Sequence, residues 1–546
     1  MKIAVCQSNP IIGDLEGNAE KIVLRYHQAV IDGADLVVFP ELFLCGYPPL
    51  DLIEKKEFRK AINITTEKIA AQTNDVGLIF GTITEDYQDN IGTGVYNSAV
   101  LCFNGKIQFV QSKTLIPNYD VFDEVRYFES AKDVFTFDFK GEKLGISICE
   151  DIWNDADFWK HRRYTSDPVQ KLVDNGATLL INISASPYAY GKRRERLDML
   201  SVLTRNDKCP LVYVCCVGAQ TELIFDGGSM CLNGRGSLDR LGKVFEEDYF
   251  IYDSKGKYDG VVNIEAGFGE EVLNALVLGL KDYVRKTGFK KVLIGLSGGI
   301  DSALVAFIAV KALGAENVHV VMMPSKFSSG GSITDSEKLI SELGISSENI
   351  SIQPVVDKVL EMLKDSFKGM DENITEENLQ SRVRGLYLMA LSNKHGYLLC
   401  TTGNKSEIAT GYATLYGDMC GALAVIGDVY KTQVYQIAEY INRGKEIIPE
   451  AIIKKAPSAE LRLNQTDQDS LPEYELLDKI LEMYLEDQKE FEEILSSIGN
   501  KELVHKVLRM VDLNEFKRKQ AAPVLRVSKK AFGYGRRFPI VQGWRK

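Results

Sequence analysis

Three residues in the first half of the sequence have the types needed for acyl transfer: Glu41, Lys113 and Cys149. Each closes or follows a short apolar run. DLVVFPE ends at Glu41, IQFVQSK ends at Lys113, and KLGISICED carries Cys149. A cysteine attacks an amide carbon as its thiolate. A nearby ammonium lowers the thiol pKa, and a carboxylate can take its proton. Lys113 and the main-chain N–H of Glu150 would then hold the oxyanion of the tetrahedral intermediate. Taken singly, each residue has a plainer reading. The chain has ten cysteines, most of them inside apolar runs, and a Glu or Lys at a strand end is ordinarily a solvated charge.

A second constellation lies in the other half. Ser297-Gly298-Gly299-Ile300-Asp301-Ser302 sits between the apolar run KKVLIGL and the helix-like ALVAFIAVKAL. Successive glycines let main-chain N–H groups approach a phosphate, and a following helix N-terminus favours the anion. No G-K-[ST] follows, so this is not a Walker A loop. Gly295-Leu296-Ser297-Gly298-Gly299 also fits G-x-S-x-G, a hydrolase nucleophile elbow. That reading needs a downstream acid and histidine, and His319, His395 and His505 stand in uninformative contexts. A plain glycine turn in a strand–turn–helix unit is the third reading.

These residues need rigid elements behind them. Short apolar runs alternate with longer charged segments such as 15–33 and 52–75, which argues for an α/β domain in the first half. Asn-Gly pairs at 104–105 and 233–234 mark hairpin turns within 97–112 and 226–251. The character changes after YDGVVNIEAGFGEE. An amphipathic helix, a buried strand, the Gly-rich turn and another helix follow, the usual opening of a nucleotide-binding domain. We divide the chain into 1–262 and 263–546. The region from 470 reads as mostly helical, then loop-like and basic.

The chain has 546 residues, enough for at least two cores. Sixty-five basic residues against 76 acidic ones give −11, which disfavours a general nucleic-acid binder. No C-x-x-C pair with zinc spacing appears, and the expectation is buried, reduced thiols. The N-terminus MKIAVCQSNP does not read as a secretory signal, and no window of about 20 apolar residues occurs, so the expected location is cytoplasmic. Residues 516–546 carry ten Lys/Arg and no Asp/Glu. They read either as a solvated tail or as a strip facing polyanionic substrates.

FPELFLCGYPPLD, the K-x-x-L-I-P-N-Y-D-x-F-D-E-x-R-Y-F run and ISICEDIW, in that order, resemble the nitrilase (carbon–nitrogen hydrolase) superfamily over roughly 1–260. The resemblance implies a four-layer α-β-β-α sandwich. It implies catalytic roles for Glu41, Lys113 and Cys149, with Glu124 as a supporting carboxylate. It also implies that Tyr119, Ser186 and Lys192 hold a glutamine. VCCVGAQTELIFDG departs from the family pattern, with Val and Cys where Asn and a small residue are common. NDADFWKHRRYTSDP, spanning 154–168, is longer than the core pattern requires and reads as a lid or a surface loop.

SGGIDS resembles the pyrophosphate loop of the ATP-pyrophosphatases, which implies a Rossmann-like second domain. MPSKFSSGGSITDSEKL, ENLQSRVRG, TTGNKSEIATGYATLYGDMCGALAVIGDVYKTQV, PSAELRLNQTDQDSLPEYELLD and EFKRKQAAPVLRVSKKAFGYGRRFPI narrow the resemblance to NAD+ synthetases. The two halves together resemble the glutamine-dependent members. That implies ATP contacts at Gly295, Leu296, Ser297, Gly298, Gly299, Ile300, Asp301, Ser302 and Thr402. It implies deamido-NAD+ contacts at Asn378, Glu407 and Lys517, and Mg2+ at Asp301 and Glu407. Arg382, Asp418 and Lys431 are further candidates. The implied reaction is ATP-dependent amidation of deamido-NAD+ with ammonia from glutamine, the final step of NAD+ biosynthesis. A shielded ammonia channel, a homo-tetramer or homo-octamer, and no nucleic-acid or membrane partner are implied as well. The rival reading keeps both chemistries and changes the acceptor to another carboxylate or carbonyl.

Overall fold

Period-two alternation along the strands shapes the first unit, Met1–Glu265. In β1 (Lys2–Gln7), Ile3 and Val5 enter one buried cluster, while Ala4 and Cys6 enter another on the opposite face. The chain continues through β2 (Leu36–Val38), β3 (Gly77–Glu85), β4 (Val95–Phe103), β5 (Lys106–Ser112), β6 (Thr136–Phe139) and β7 (Glu142–Ile148). Then come β8 (Leu179–Ser184), β9 (Leu211–Cys215), β10 (Val217–Gln220), β11 (Leu223–Asp226), β12 (Met230–Leu232), β13 (Leu238–Leu241) and β14 (Asp248–Asp253). This computed structural model describes residues 1–87, 92–258, 264 and 266–544. The division at 262/263, and the last two cations of the basic segment, lie outside the described residues.

Two six-stranded sheets form, ordered β14-β1-β2-β3-β4-β5 and β13-β12-β9-β8-β7-β6. Their inner faces meet through Val5, Val38, Ile79, Ile146, Ile181 and Val212, among others. Helices α1 (Leu15–Ile31) and α2 (Lys56–Ala70) cover the outer face of the first sheet through Ile22, Tyr26, Ile62 and Ile69. Helices α3 (Pro168–Asp174) and α4 (Lys192–Asp207) cover the second through Leu172, Met199 and Leu203. The order of layers is α-β-β-α.

The Asn104-Gly105 turn joins β4 to β5 with φ of 52° and 74°, the left-handed pair that a tight hairpin requires. The second Asn-Gly pair behaves differently. Between β12 and β13 the loop runs over 233–237, and Gly236, not Gly234, takes the positive φ of 79°. The Asn233 side chain accepts from the N–H groups of Arg235 and Ser237, which widens the turn.

The second unit, Ala266–Lys546, is built on a parallel sheet. Its strands β15 (Val292–Gly295), β16 (Val318–Met322), β17 (Ser346–Asn349), β18 (Leu398–Thr401) and β19 (Leu423–Ala424) stand in the order β17-β16-β15-β18-β19. Strand order reverses between β15 and β18, and a crevice opens at their carboxyl ends, where open α/β sheets bind ligands. α5 (Phe268–Lys286) leads into β15, and α6 (Ile300–Leu313) leaves it, apolar and buried along most of its length. Helices over Tyr474–Leu485, Phe491–Ile498 and Lys501–Leu513 pack together near the C-terminus. The basic segment after them is tied down in part. Arg518 donates to the carbonyls of Ile408 and Ala409, Arg526 to those of Ser528 and Lys529, and Arg536 pairs with Glu515 at 2.7 Å. These three cations brace the fold, while Lys519, Lys529 and Arg537 are exposed. Among the described residues no helix is long and apolar enough to cross a membrane.

Candidate active sites

The three acyl-transfer candidates converge at strand ends of the first unit. Glu41 follows β2 in a tight run of turns, and Gly81 of β3 permits it. A Cβ at Gly81 would meet the Leu42 nitrogen at 2.1 Å and Glu41 Cα at 2.7 Å. Lys113 directly follows β5, and its N–H continues the pairing to the Asn97 carbonyl at 2.8 Å. Cys149 directly follows β7, with a φ of 43°, a sparsely populated conformation for a non-glycine residue.

Lys113 is fully buried between two carboxylates. Its Nζ lies 2.9 Å from Glu41 Oε1, and 2.8 and 2.9 Å from the two oxygens of Glu124. Asn97 donates to Glu41 Oε1 at 2.8 Å, the N–H of Ala185 to Glu41 Oε2 at 2.8 Å, and Tyr47 to Glu124 at 2.9 Å. Burial opposes the Lys113 charge, but Glu124 and Glu41 outweigh it and hold the ammonium well above its ordinary pKa. Burial raises the Glu124 carboxyl, against the pull of Lys113. Burial and then Glu41 push the Cys149 thiol up, and Lys113 pulls it back. The free site therefore stores a neutral thiol, and the ammonium favours the thiolate once the proton moves.

Asp151 locks this geometry. It accepts from the N–H groups of Thr114 and Leu115, just beyond Lys113, and of Ile148, just before Cys149. The glutamine-holding candidates lie alongside. Tyr119 donates to both oxygens of Glu150, at 2.9 and 3.0 Å. Ser186 is buried next to Ala185, and Lys192 opens α4 with its Nζ on the Pro187 carbonyl at 3.1 Å. Sequence reasoning missed Asn97, Tyr47 and Asp151. Tyr47 and Asp151 stand inside quoted motifs, whereas Asn97 carries no local signal.

In the second unit the Gly-rich turn closes on itself at the switch point. Ser302 Oγ donates to the Gly299 carbonyl at 3.0 Å, and the Gly299 N–H reaches Ser297 Oγ at 3.2 Å. Gly298 has a φ of 76°, and a Cβ there would meet the Ser332 carbonyl oxygen at 2.5 Å, so glycine is required. The turn lines a cavity of about 290 Å³ together with Thr402, Glu407 and Lys431. No histidine is among the lining residues, which removes the nucleophile-elbow reading.

Asp301, Glu407 and Lys431 meet in that cavity. Lys431 pairs with Asp301 and lies 3.9 Å from Glu407. Asn404 caps the helix Lys405–Thr410 and donates to Asp301 at 2.9 Å. Burial and the Asp301 charge push the Glu407 carboxyl up to about 8. Burial opposes the Lys431 charge, yet Asp301 and Glu407 hold its pKa above the ordinary value. Asn378 and Lys517 do not line the cavity. Asn378 accepts from Thr414 Oγ1 at 2.8 Å, and Lys517 donates to the Gly411 and Ala413 carbonyls at 2.7 and 2.8 Å. Both grip the 411–414 segment, whose Tyr412 and Ala413 form part of the wall. Asp418 lines the wall and accepts from the Thr414 N–H, and Arg382 donates to the Leu415 carbonyl.

Residues 2–253 match the family model described as carbon-nitrogen hydrolase, and residues 272–521 match the one described as NAD synthase. The glutamine-dependent NAD(+) synthetase of Synechocystis sp. is 45% identical, covering 99% of each chain. That of Thermotoga maritima is 44% identical, over 100% of this chain and 99% of the relative. The solved glutamine-dependent NAD+ synthetase of Acinetobacter baumannii, in complex with ADP, is 38% identical. It covers 100% of this chain and 99% of its own, with a TM-score of 0.78. A Cytophaga hutchinsonii structure matches at a TM-score of 0.84 and 21% identity, over 99% of this chain and 98% of its own, which speaks to the fold alone.

Proposed function

We infer the roles of these residues from one premise: the chain belongs to the glutamine-dependent NAD+ synthetases, enzymes with an amide-hydrolysing half and a ligase half. In the first unit Glu41 takes the Cys149 proton, and the thiolate attacks the side-chain amide of glutamine. Lys113 and the Glu150 N–H hold the oxyanion, ammonia leaves, and water hydrolyses the thioester to glutamate. Glu124 keeps Lys113 in place, and Tyr119, Ser186 and Lys192 hold the substrate. The observation that carries this half is the buried Glu41–Lys113–Glu124 cluster acting on Cys149.

In the second unit Gly295–Ser302 and Thr402 take ATP. The nicotinate carboxylate of deamido-NAD+ displaces pyrophosphate, ammonia attacks the acyl-adenylate, and AMP leaves. Glu407 and the wall braced by Asn378 and Lys517 receive the dinucleotide. Asp301 and Glu407 suit Mg2+: both are carboxylates in one cavity, they share a single lysine, and Mg2+ takes one or two protein carboxylates beside substrate phosphates. When bound, the ion neutralises developing phosphate charge. Free ammonia in water is mostly protonated, so the same reading includes shielded transfer between the sites. It also includes a cytoplasmic homo-tetramer or homo-octamer.

Mass spectrometry of products tests the reading. Protein given deamido-NAD+, ATP and Mg2+ should form NAD+ and AMP with either glutamine or ammonium, and Cys149→Ala should lose only the glutamine route. NAD+ from neither nitrogen source would move the acceptor to another carboxylate or carbonyl.

A further inference from the structure

We propose that the segment over 154–166 completes the glutamine subsite: Tyr164 positions Glu150 to receive the substrate's α-ammonium group, and Arg163 receives its α-carboxylate. The inference rests on the glutaminase reading of the first unit.

Glu150 directly follows the nucleophile and is 4% exposed. Tyr119 donates to both its oxygens, and the Tyr164 hydroxyl adds a third bond at 3.0 Å. No lysine or arginine among the described residues forms an ion pair with it, and Lys113 is committed to Glu41 and Glu124. A buried carboxylate surrounded by neutral donors is costly until a cation arrives. Glutamine brings one at a fixed distance from its amide.

The segment is tied down, not free. Asn154, 1% exposed, donates to the carbonyls of Tyr164 and Ser166 at 3.0 and 2.7 Å and accepts from the Tyr164 N–H at 3.2 Å. This clasp turns Tyr164 inward and sets the guanidinium of Arg163 3.8 Å from the centre of the Tyr119 ring. Arg163 is exposed and forms no ion pair among the described residues, so a planar donor waits beside the tyrosine that touches Glu150. A simple aliphatic amide shares the reacting group of glutamine but offers nothing to either residue.

The test uses the full chain, Tyr164→Phe and Arg163→Gln, and three amides: glutamine, 4-carbamoylbutanoate, which lacks the ammonium, and 4-aminobutanamide, which lacks the carboxylate. Each is measured as a substrate or, through its Ki, as a competitor of glutamine. Tyr164→Phe should raise the KM for glutamine roughly tenfold with little change in kcat, the size of one bond to a charged group. It should leave 4-carbamoylbutanoate unaffected. Arg163→Gln should weaken glutamine and 4-carbamoylbutanoate alike and leave 4-aminobutanamide unaffected. Equal losses on all three amides, or no loss on any, would overturn the proposal. Ammonium-dependent NAD+ formation, unchanged in both variants, shows that the protein is folded. If Cys149→Ala keeps the glutamine route, the glutaminase reading itself fails instead.

Discussion

Asp151→Asn asks whether a carboxylate holds the nucleophile in register with Lys113. One oxygen accepts from Thr114 at 2.9 Å and Leu115 at 2.7 Å, and the other accepts from Ile148 at 3.0 Å. An amide has a single oxygen. In the variant, either Ile148 or the Thr114–Leu115 pair faces an NH2 group. Stranding one buried N–H costs about 1–3 kcal/mol, and the surviving bonds lose charge assistance, so roughly 2–4 kcal/mol of local restraint disappears. A second effect opposes this in overall stability. Burial pushes the carboxyl from 3.8 up to about 7, against the pull of its N–H donors and Lys113, so above neutral pH the folded protein carries a costly buried charge that the amide removes. The two effects offset in free energy but not in position. Tm should therefore move by only a few degrees, while glutamine-dependent kcat falls about 10- to 100-fold, the size expected for a displacement of order 1 Å at a reacting centre. Parallel assays with glutamine and with ammonium separate the halves, and the ammonium rate should hold. A glutamine kcat equal to that of the unmodified protein would refute the role given to Asp151.

Lys431→Met should leave Asp301 and Glu407 facing each other without a cation, a loss of about 3–5 kcal/mol for a broken buried pair. Thermal melting should show it, higher Mg2+ should restore part of it, and a variant with unshifted Tm at low Mg2+ would contradict it. Glu407 has its carboxyl raised from 4.5 to about 8, chiefly by burial and then by Asp301. Between those values the folded state binds more protons than the unfolded chain, so this group's stabilisation is complete below 4.5 and is lost as pH rises through 8. In magnesium-free buffer Glu407→Gln should flatten that decline, and superimposable pH–Tm curves for variant and parent would sink the assignment.

The strand-end triad was legible as a candidate because each member closes or follows an apolar run, and strand ends on a rigid sheet are where reactive groups can converge; family resemblance then set it above the plainer readings. Its partners were not equally legible. Glu124 came only through family resemblance, and Asn97 sits mid-strand among alternating residues, where nothing local marks it as a bond to Glu41. The 154–166 segment could not be assigned from composition, since its fixed shape depends on Asn154 meeting carbonyls ten and twelve residues away. The basic C-terminal segment was only partly legible for a related reason. Charge counting cannot tell a cation aimed at solvent from Arg518, which caps the carbonyls of Ile408 and Ala409. Asn378 and Lys517 came through family resemblance, and the fold sets their bonds on the wall segment 411–414.

The two units meet one electrostatic problem with the same parts. In the first, Lys113 lies between Glu41 and Glu124. In the second, Lys431 lies between Asp301 and Glu407. With both carboxylates ionised, one ammonium leaves an excess negative charge, which is unfavourable away from water unless something positive, a proton included, joins it. The surroundings decide what joins. Beside Glu41 stands the Cys149 thiol, whose proton is the available cation, so the surplus becomes basicity and the product is a nucleophile. Beside Glu407 lies a cavity lined by a phosphate-binding turn, so the surplus becomes affinity for a divalent ion that arrives with its nucleotide. Exchanging the lysines for methionines should then have opposite signatures. Lys113→Met should raise the Cys149 thiol pKa further and slow its alkylation, and added Mg2+ should not help. Lys431→Met should leave thiol alkylation unchanged and make activity more dependent on Mg2+. If Mg2+ rescued neither variant, or both equally, the excess charge in the second cavity would not be what the ion answers.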